Sequence, residues 1–279
     1  MPAQIEQVLA ATWVPEVTRR LLPVPDPWMS VIVPAFNEER AIGQTVQTLH
    51  EWLRERPGTH EIIVVDNAST DGTAAILEGL GHIESLRVLT NDANLGKGYS
   101  LRRGMLEATG RLRLHCDADC ATSLPSLDDM VEAVQEVDVV VGSRLGPGAT
   151  VLRKQPLRRR IVGRSFQQLC RLLLSEPTKD LYCGFKLWRS DAAAQTFSRI
   201  RVEGWVFDAE ALAMARSLGY SIREMGIHWA DREGSRLSMA RVLGPVLVEL
   251  VGARRHVRRQ TRGRDVRSAA EPETAPRGL

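Results

Sequence analysis

Hydrophobic and polar residues follow two periods along the first half of the chain, and these periods predict strands alternating with helices. Apolar runs at 30–36, 61–66 and 85–90 have the length and β-branched content of buried strands. Segments with apolar residues at helical spacing separate them, the first running from Ile42 to Leu53. We expect Pro34 to break the first strand. The alternation predicts an α/β fold with a doubly wound, mostly parallel sheet.

A further strand is predicted at 111–116, where Leu112 and Leu114 alternate with polar residues. It runs directly into Asp117 and Asp119. In an extended chain both carboxylates point the same way off the carboxyl end of the strand, where open α/β sheets bind ligands. Two hard oxygen donors suit Mg²⁺ or Mn²⁺. The alternative is an ordinary turn, since Asp commonly follows a strand.

Polar groups also follow the other predicted strands. Asn37 and Glu38 follow the first strand, where they could hold ribose hydroxyls, and Asp66 ends the second, where it could accept N–H groups of a base. Lys97 lies between two glycines at a predicted helix start and is a candidate phosphate or ribose contact. Each residue alone also fits a local role as turn former, helix-start acid or solvated cation. Because such groups follow successive strands, we favour a nucleotide site.

Length and composition limit the class of protein. A chain of 279 residues, 43% apolar and 25% charged, suits one large α/β domain with appendages. No apolar run approaches the ~18–20 residues of a membrane-spanning helix. The first residues lack the compact apolar core of a secretory signal. We therefore expect a cytoplasmic protein whose four cysteines are reduced.

The net charge of +3 conceals two basic segments. Residues 151–174 carry seven Lys or Arg and no acid, and residues 252–267 carry seven Arg with Asp265 as the one acid. Such patches indicate an anionic partner: phosphate groups, lipid headgroups or nucleic acid. A non-enzymatic nucleic-acid binder is the weakest of the function classes and no nucleic acid is expected, because no nucleic-acid motif occurs and aromatic residues do not interleave with the basic runs.

Composition shifts divide the chain into four segments. Residues 1–28 form a helical extension with a Pro-rich linker, and residues 29–240 form the main domain. Residues 241–263 form a basic amphipathic helix, and residues 264–279, with Pro272 and Pro276, a disordered tail. The apolar stripe of the basic helix would lie in the headgroup layer of a membrane or pack on the domain.

Motifs in order along the chain resemble family 2 glycosyltransferases of the GT-A fold. The first four are Val-Ile-Val-Pro34-Ala-Phe-Asn37-Glu38, Val-Val-Asp66-Asn-Ala-Ser-Thr-Asp71-Gly72, Asn94-Leu-Gly-Lys97-Gly and Asp117-Ala-Asp119. Later stretches are Val-Gly142-Ser-Arg144, Asp180-Leu-Tyr-Cys-Gly184-Phe-Lys186, Trp205-Val-Phe-Asp208-Ala-Glu210 and Trp229-Ala-Asp-Arg-Glu-Gly234-Ser-Arg236. These resemble dolichyl-phosphate β-glucosyltransferases and, more loosely, other polyprenyl-phosphate glycosyltransferases. The resemblance covers about residues 29–255.

The resemblance assigns roles to matching positions. It implies nucleoside contacts from Pro34, Asn37, Glu38 and Asp66, a metal and diphosphate site at Asp117 and Asp119, phosphate-holding cations at Arg144 and Arg236, and an acceptor-side motif at Asp180, Gly184 and Lys186. It also implies a C-terminal acceptor half beside a Rossmann-like nucleotide half. Three positions depart from the pattern: Asn67 replaces a second acid, Cys120-Ala-Thr122 follows the acidic pair, and Gly204 stands where Arg is common.

The expected activity is inverting, metal-dependent transfer of a sugar, glucose from UDP-glucose, to a polyprenyl or dolichyl phosphate. A phosphate monoester is largely dianionic at pH 7 and needs cations but no strong base. Candidate cations are Arg144, Lys154, Arg158, Arg159 and Arg236. A hydroxyl acceptor would need a base, for which Asp180 is the candidate, and a structural hydrogen-bond acceptor is its other interpretation. A same-fold transferase with a soluble acceptor in polysaccharide or secondary-metabolite synthesis is the alternative function. The basic segments favour a peripheral position at an anionic inner membrane face.

Overall fold

The structure is a computed structural model that describes residues 27–153, 157–204, 206–230 and 243–270, with backbone alone at 153, 157–161, 243–245 and 262–270. The strands are β1 (Met29–Ala35), β2 (His60–Asp66), β3 (Leu86–Thr90), β4 (Leu112–Cys116), β5 (Val139–Ser143), β6 (Thr150–Arg153), β7 (Phe185–Arg189), β8 (Ile222–Gly226) and β9 (His228–Ala230). The helices are α1 (Ile42–Arg54), α2 (Thr73–Gly79), α3 (Lys97–Glu107), α4 (Pro125–Ala133), α5 (Leu157–Leu174), α6 (Ser190–Phe197), α7 (Phe207–Ser217) and α8 (Leu243–Ala270).

Seven strands form the main sheet in the order β3-β2-β1-β4-β7-β5-β8. β1 pairs in parallel with both β2 and β4, and β2 pairs in parallel with β3. β7 is antiparallel to β4 and β5, whereas β5 and β8 are parallel. The prediction of a doubly wound, mostly parallel sheet is confirmed. β6 and β9 form a separate parallel pair.

Helices cover both faces of the sheet, which explains why β1 is an almost continuous apolar run. Val31 and Val33 of β1 belong to the core cluster that also contains residues of α1, α2 and α4. The intervening Ile32 belongs to the second cluster, with residues of α3, α5, α6, α7 and α8. Alternate residues of a strand point to opposite faces, so a strand buried on both faces is a continuous apolar run.

Pro34 does not break the first strand, contrary to our expectation. β1 continues to Ala35, and Pro34 is paired with Val65 of β2. The Ala35 carbonyl accepts a hydrogen bond from Asn67 on the β2 side, so Pro34 directs its nitrogen toward the β4 side. Pairing with β4 has already ended at Ile32, and the missing N–H therefore removes no ladder bond.

The last described helix, α8, extends farther than the sequence indicated. It continues to Ala270, so residues 264–270 are helical and not disordered as expected. This stretch holds no glycine or proline, and the first helix-breaking residue is Pro272. Among the described helices, none is long and apolar enough to cross a bilayer. The predicted N-terminal helix falls almost wholly outside the described residues, and the division into segments stays a prediction.

α8 packs on the domain with one face and exposes apolar side chains on another. Its buried residues recur at helical spacing: Val246, Leu250, Ala253 and Val257. Leu247 and Val251 are each more than 40% exposed, and Val248 is 75% exposed. The domain therefore covers part of the apolar stripe and leaves part of it exposed, and contact with a membrane stays a prediction.

Candidate active site

The strand order brings the predicted site residues to one edge of the sheet. β1, β2 and β4 are adjacent and parallel, and their carboxyl ends carry Asn37 and Glu38, Asp66, and Asp117, respectively. Ligands of open α/β sheets bind at this edge. Pro34 is buried within β1, so it shapes the strand end and offers little side-chain surface to a nucleotide.

Asn37 joins the loops that follow β1 and β2. Its backbone has a positive φ of 56°, which Asn tolerates better than most residues. Its side-chain oxygen accepts a 2.8 Å hydrogen bond from the Thr70 backbone N–H, and its own N–H donates to Ser69 Oγ at 3.0 Å. Glu38 is tied to the same loop through its backbone N–H, which donates to Thr73 Oγ1 at 2.8 Å. Ribose contacts from Asn37 and Glu38 stay predictions.

Asp66 ends β2 with a residue exposure of 3%, and its Oδ1 accepts a 3.1 Å hydrogen bond from the Ser69 backbone N–H. Contact with a nucleotide base stays a prediction for this residue. Its neighbour Asn67 is equally buried and belongs to an amide network. The Asn67 amide donates to Asn94 Oδ1 at 2.7 Å, and its oxygen accepts from Asn91 Nδ2 at 2.8 Å. A carboxylate could only accept, so Asn67 holds the 94–98 turn in a way that an acid could not.

The glycines around Lys97 allow helix α3 to begin against a neighbouring loop. Gly96 has a positive φ of 97°, and the Gly98 N–H donates to the Glu203 carbonyl at 2.9 Å. A Cβ atom at Gly98 would lie 2.7 Å from the Phe207 Cβ. Close backbone approach explains the Gly-Lys-Gly sequence and fixes the direction of the lysine.

Lys97 and Asp117 form the central ion pair of the site. Lys97 Nζ lies 2.6 Å from Asp117 Oδ1, and the two side chains are 31% and 37% exposed. His115 Nε2 approaches the same oxygen at 3.3 Å. Burial alone would raise the pKa of Asp117, but Lys97 and His115 hold it well below its usual value. Asp117 is therefore an ionised carboxylate at any physiological pH.

Gly184 gives the Asp117 carboxylate its space. The Asp117 backbone N–H donates to the Gly184 carbonyl at 3.0 Å, so the two chains are in direct contact. A Cβ atom at position 184 would overlap the carboxyl carbon and both oxygens of Asp117. The glycine of the 180–186 motif thus acts on the acidic pair and not on a separate surface.

A divalent ion would fit beside the acidic pair. Burial and, after it, the charges of Asp119 and Asp117 together raise the pKa of Glu38 to about 6. Asp119 and Asp117 therefore lie near enough to disfavour the ionisation of Glu38, a repulsion that a cation would relieve. No three acidic, His or Cys side chains of the described ranges form a cage by themselves. That suits Mg²⁺ or Mn²⁺, which take one or two carboxylates and complete their shell with water and diphosphate oxygens.

Asp180 and Arg144 form a two-bond ion pair at the end of β5. Arg144 Nε and Nη2 donate to the two Asp180 oxygens at 2.8 and 2.7 Å, and the Arg144 backbone N–H donates at 2.9 Å. Asp180 is fully buried, and although burial opposes it, Arg144 lowers its pKa. A buried, fully engaged carboxylate does not fit the general base, so the geometry favours the structural alternative. Arg144 stays partly exposed, with its guanidinium carbon 5.3 Å from the Trp229 ring centroid.

Lys186, which the sequence predicts at the acceptor side, is buried and paired. Its residue exposure is 1%, and its Nζ donates to Asp208 Oδ1 at 2.5 Å and to the Cys183 carbonyl at 2.7 Å. This burial leaves no ammonium surface for an acceptor, so direct acceptor binding by Lys186 is not what the geometry supports. The sequence pattern did not reveal this pairing, because Asp208 lies 22 residues further along the chain.

Four predicted cations are not placed by the structure. Lys154 and Arg236 lie outside the described residues. Arg158 and Arg159 lie in α5, where the backbone alone is described. Their roles stay predictions.

Two site residues were not assigned from the sequence, His115 and Asp208. His115 is the polar residue that alternates with Leu114 in β4, and it is fully buried because helices cover both faces of this central strand. Asp208 belongs to the quoted 205–210 motif and is 4% exposed. The sequence offered little signal for either residue, because β4 also contains Arg113 and α7 also contains Glu210.

Acidic groups and a lysine that meet at the carboxyl edge of a doubly wound sheet define the class of enzymes that bind nucleotide diphosphates there. Residues 30–197 match the model of Glycosyl transferase family 2. Because that match extends over more than half of the chain, the chain belongs to this family. It is a nucleotide-sugar glycosyltransferase.

Individual relatives agree with the family assignment. The chain is 33% identical over 225 residues to a dolichyl-phosphate beta-glucosyltransferase of Drosophila melanogaster, covering 75% of this chain and 69% of the relative. It is 31% identical over 229 residues to the Homo sapiens protein of that name, covering 76% and 70%. A glucosyl-3-phosphoglycerate synthase of Mycobacterium tuberculosis, solved with Mn²⁺, UDP-glucose and phosphoglyceric acid, superposes with a TM-score of 0.58 at 20% identity, covering 82% and 80%. The prediction of a GT-A fold is confirmed.

Proposed function

We propose that the protein transfers glucose from UDP-glucose to a polyprenyl phosphate of the dolichyl type, with inversion at the anomeric carbon. The relatives named above are called dolichyl-phosphate beta-glucosyltransferases, and their similarity extends over three quarters of the chain. A β product from an α-linked nucleotide sugar requires attack from the face opposite the leaving diphosphate.

The observation that carries the proposal is the engagement of Asp180. The carboxylate that a hydroxyl acceptor would need as a base is fully buried, and each of its oxygens is bound by Arg144. A phosphate acceptor is already nucleophilic near pH 7 and asks only for a cation to place it. Arg144 meets that need, because two bonds to Asp180 fix the plane of its guanidinium group. We assign Asp180 the role of positioning Arg144.

The donor half follows from the acidic edge. Asp117, oriented by Lys97, and Asp119 would hold a divalent ion against the donor diphosphate, and that ion would supply neutralisation of charge on the leaving group. Lys97, at the start of α3, adds a cation beside the same diphosphate. Asp66, at the end of β2, would accept the imide N–H of uracil.

A membrane surface suits the proposed acceptor, whose tail is apolar. Leu247, Val248 and Val251 of α8 form an exposed apolar patch one to two turns before the arginine cluster that begins at Arg254. Arginines near an anionic leaflet contribute about 1 kcal/mol each, an attraction that salt screens. We propose that α8 contacts an anionic membrane face peripherally.

The direct test is transfer of labelled glucose from UDP-glucose to a short-chain polyprenyl phosphate, with the matching polyprenol as the control acceptor. We expect product from the phosphate alone, with β configuration by NMR, and none after chelation of divalent ions. Efficient transfer to the polyprenol or another hydroxyl, with none to the phosphate, would refute the acceptor assignment. Such a result would favour the alternative function, a transferase with a soluble acceptor.

The membrane component has its own test. We expect the protein to sediment with anionic liposomes at low salt and to be released at high salt, and a Leu247→Ser/Val248→Ser variant to sediment less. Both side chains are exposed, so the variant should melt at the wild-type temperature. Equal sedimentation of variant and wild type would exclude this face of α8 as the contact.

A further inference from the structure

A buried histidine lies between the donor motif and the acceptor-side motif. His115 is the penultimate residue of β4, two residues before Asp117, and it has no exposed surface. Its Nε2 lies 3.3 Å from Asp117 Oδ1, and its Nδ1 lies 3.9 Å from Asp208 Oδ1. The ring therefore faces one carboxylate with each nitrogen.

Each of the two carboxylates has its own lysine. Lys97 lies 2.6 Å from Asp117 Oδ1, and Lys186 lies 2.5 Å from Asp208 Oδ1. Each ion pair has no net charge, so a neutral imidazole between them leaves the whole cluster without net charge. A neutral imidazole has one N–H donor and one acceptor nitrogen. The shorter separation places the donor on Nε2, toward Asp117.

The same oxygen of Asp117 thus accepts a hydrogen bond from Lys97 at 2.6 Å and has His115 Nε2 3.3 Å away, where the alignment falls short of a second hydrogen bond. With Oδ1 bonded to Lys97, His115 Nε2 beside it and Gly184 packed against the carboxyl group, the side chain has little room to turn. Oδ2 is then free of these two donors and can face a ligand. Phe207 packs on the imidazole at a ring separation of 6.1 Å and helps to keep the ring in place.

We propose that His115 is a positioning residue, whose Nε2–H fixes the Asp117 carboxylate for the donor diphosphate and its divalent ion, while its other edge couples that carboxylate to the Asp208–Lys186 pair. The inference rests on the proposed nucleotide-sugar site. Groups that orient a ligating carboxylate in this way commonly change metal affinity or activity when they are removed.

Three substitutions separate the two edges of the ring. His115→Gln keeps an N–H donor near the Nε2 position, and His115→Asn keeps one near the Nδ1 position. His115→Phe retains an aromatic ring against Phe207 and removes both nitrogens. His60→Phe is the matched control, because His60 is half-buried at the opposite end of β2, which β1 separates from β4.

Calorimetry with Mn²⁺ and UDP, together with initial-rate kinetics, reads the effect on the donor. We expect His115→Phe and His115→Asn to weaken UDP·Mn²⁺ binding and to raise the donor KM at least about tenfold. The acceptor KM should change little, and His115→Gln should restore most of the affinity. A merely structural role would lower the melting temperature but would not separate Gln from Asn, nor the donor KM from the acceptor KM.

The inference is overturned if His115→Gln and His115→Asn bind Mn²⁺ and UDP equally well, whatever the behaviour of the Phe variant. If the wild type binds no UDP, the proposed function fails. The inference is then decided by Mn²⁺ affinity alone, which should still rank wild type and Gln above Asn.

Discussion

Replacing Gly184 by alanine is the sharpest test of the close packing between the two motifs. A methyl group at this position would overlap the carboxyl carbon and both oxygens of Asp117, far inside the 3.4 Å at which ordinary contact begins. The backbone cannot easily separate, because the Asp117 N–H donates to the Gly184 carbonyl at 3.0 Å. The side chain must therefore rotate away from Lys97 and His115.

The expected loss is larger for ligand binding than for stability. The Lys97–Asp117 pair is about one third exposed, so breaking it should cost no more than about 0.2–1 kcal/mol of folding free energy. A misplaced carboxylate removes a charge-assisted contact to the ion and the diphosphate, worth about 1.5–3 kcal/mol. That corresponds to a UDP·Mn²⁺ dissociation constant raised about 10- to 150-fold.

Isothermal titration of Gly184→Ala with UDP and Mn²⁺ measures this change, and a melting curve confirms folding. Gly79→Ala is the control, since nothing lies within 4 Å of a Cβ built at the end of α2. We expect the control to bind as the wild type does. If Gly184→Ala binds UDP·Mn²⁺ within about twofold of wild type, Asp117 tolerates displacement and its assigned contact to the ion and diphosphate is wrong.

Three further outcomes are expected. Asp119→Ala should abolish transfer with Mg²⁺ or Mn²⁺ at an unchanged melting temperature. Near-wild-type turnover would show that Asp117 and Asp119 form only a turn. Asp66→Ala should weaken UDP binding by about 1.5–3 kcal/mol, and unchanged affinity by calorimetry would place the base elsewhere. The folded-state pKa of Glu38, about 6, exceeds its ordinary 4.5. Without divalent ions, up to about 2 kcal/mol of stability should therefore be lost as pH rises between these values. Glu38→Gln should remove that slope in pH-dependent melting curves, and an identical slope would contradict the carboxylate cluster.

The first half of the fold was predictable because β1 and β2 are mostly apolar runs and because Leu112 and Leu114 of β4 alternate with polar residues. His60–Asp66 and Leu112–Cys116 lie within a residue of the predicted strands, and the first helix begins at the predicted Ile42. Strands covered on both faces are commonly continuous apolar runs. The extent of α8 was less predictable, because a segment with scattered charges is typical of a disordered tail and also of an exposed helix.

The site was predictable only in part, because some of its side chains pair with residues that are distant in the sequence. Acids that follow strands were placed correctly because parallel strands end at one edge. Asp180 stayed open between a base and a structural hydrogen-bond acceptor, and Lys186 was predicted to contact the acceptor, since nothing local in the sequence shows that Arg144 and Asp208 pair with them. Their partners are 36 and 22 residues away, a separation that no short pattern reports.

The burial of these pairs changes how the 180–186 motif is understood to act. A buried charge costs several kcal/mol unless it is paired, and Arg144 and Asp208 supply the partners of Asp180 and Lys186. Each places another group: Asp180 fixes Arg144, and Lys186 holds Asp208 beside His115. Substitutions in the motif should therefore alter the acceptor site through Arg144 and the donor site through Asp117. The remaining acceptor cations are then expected in the basic segment at 153–160.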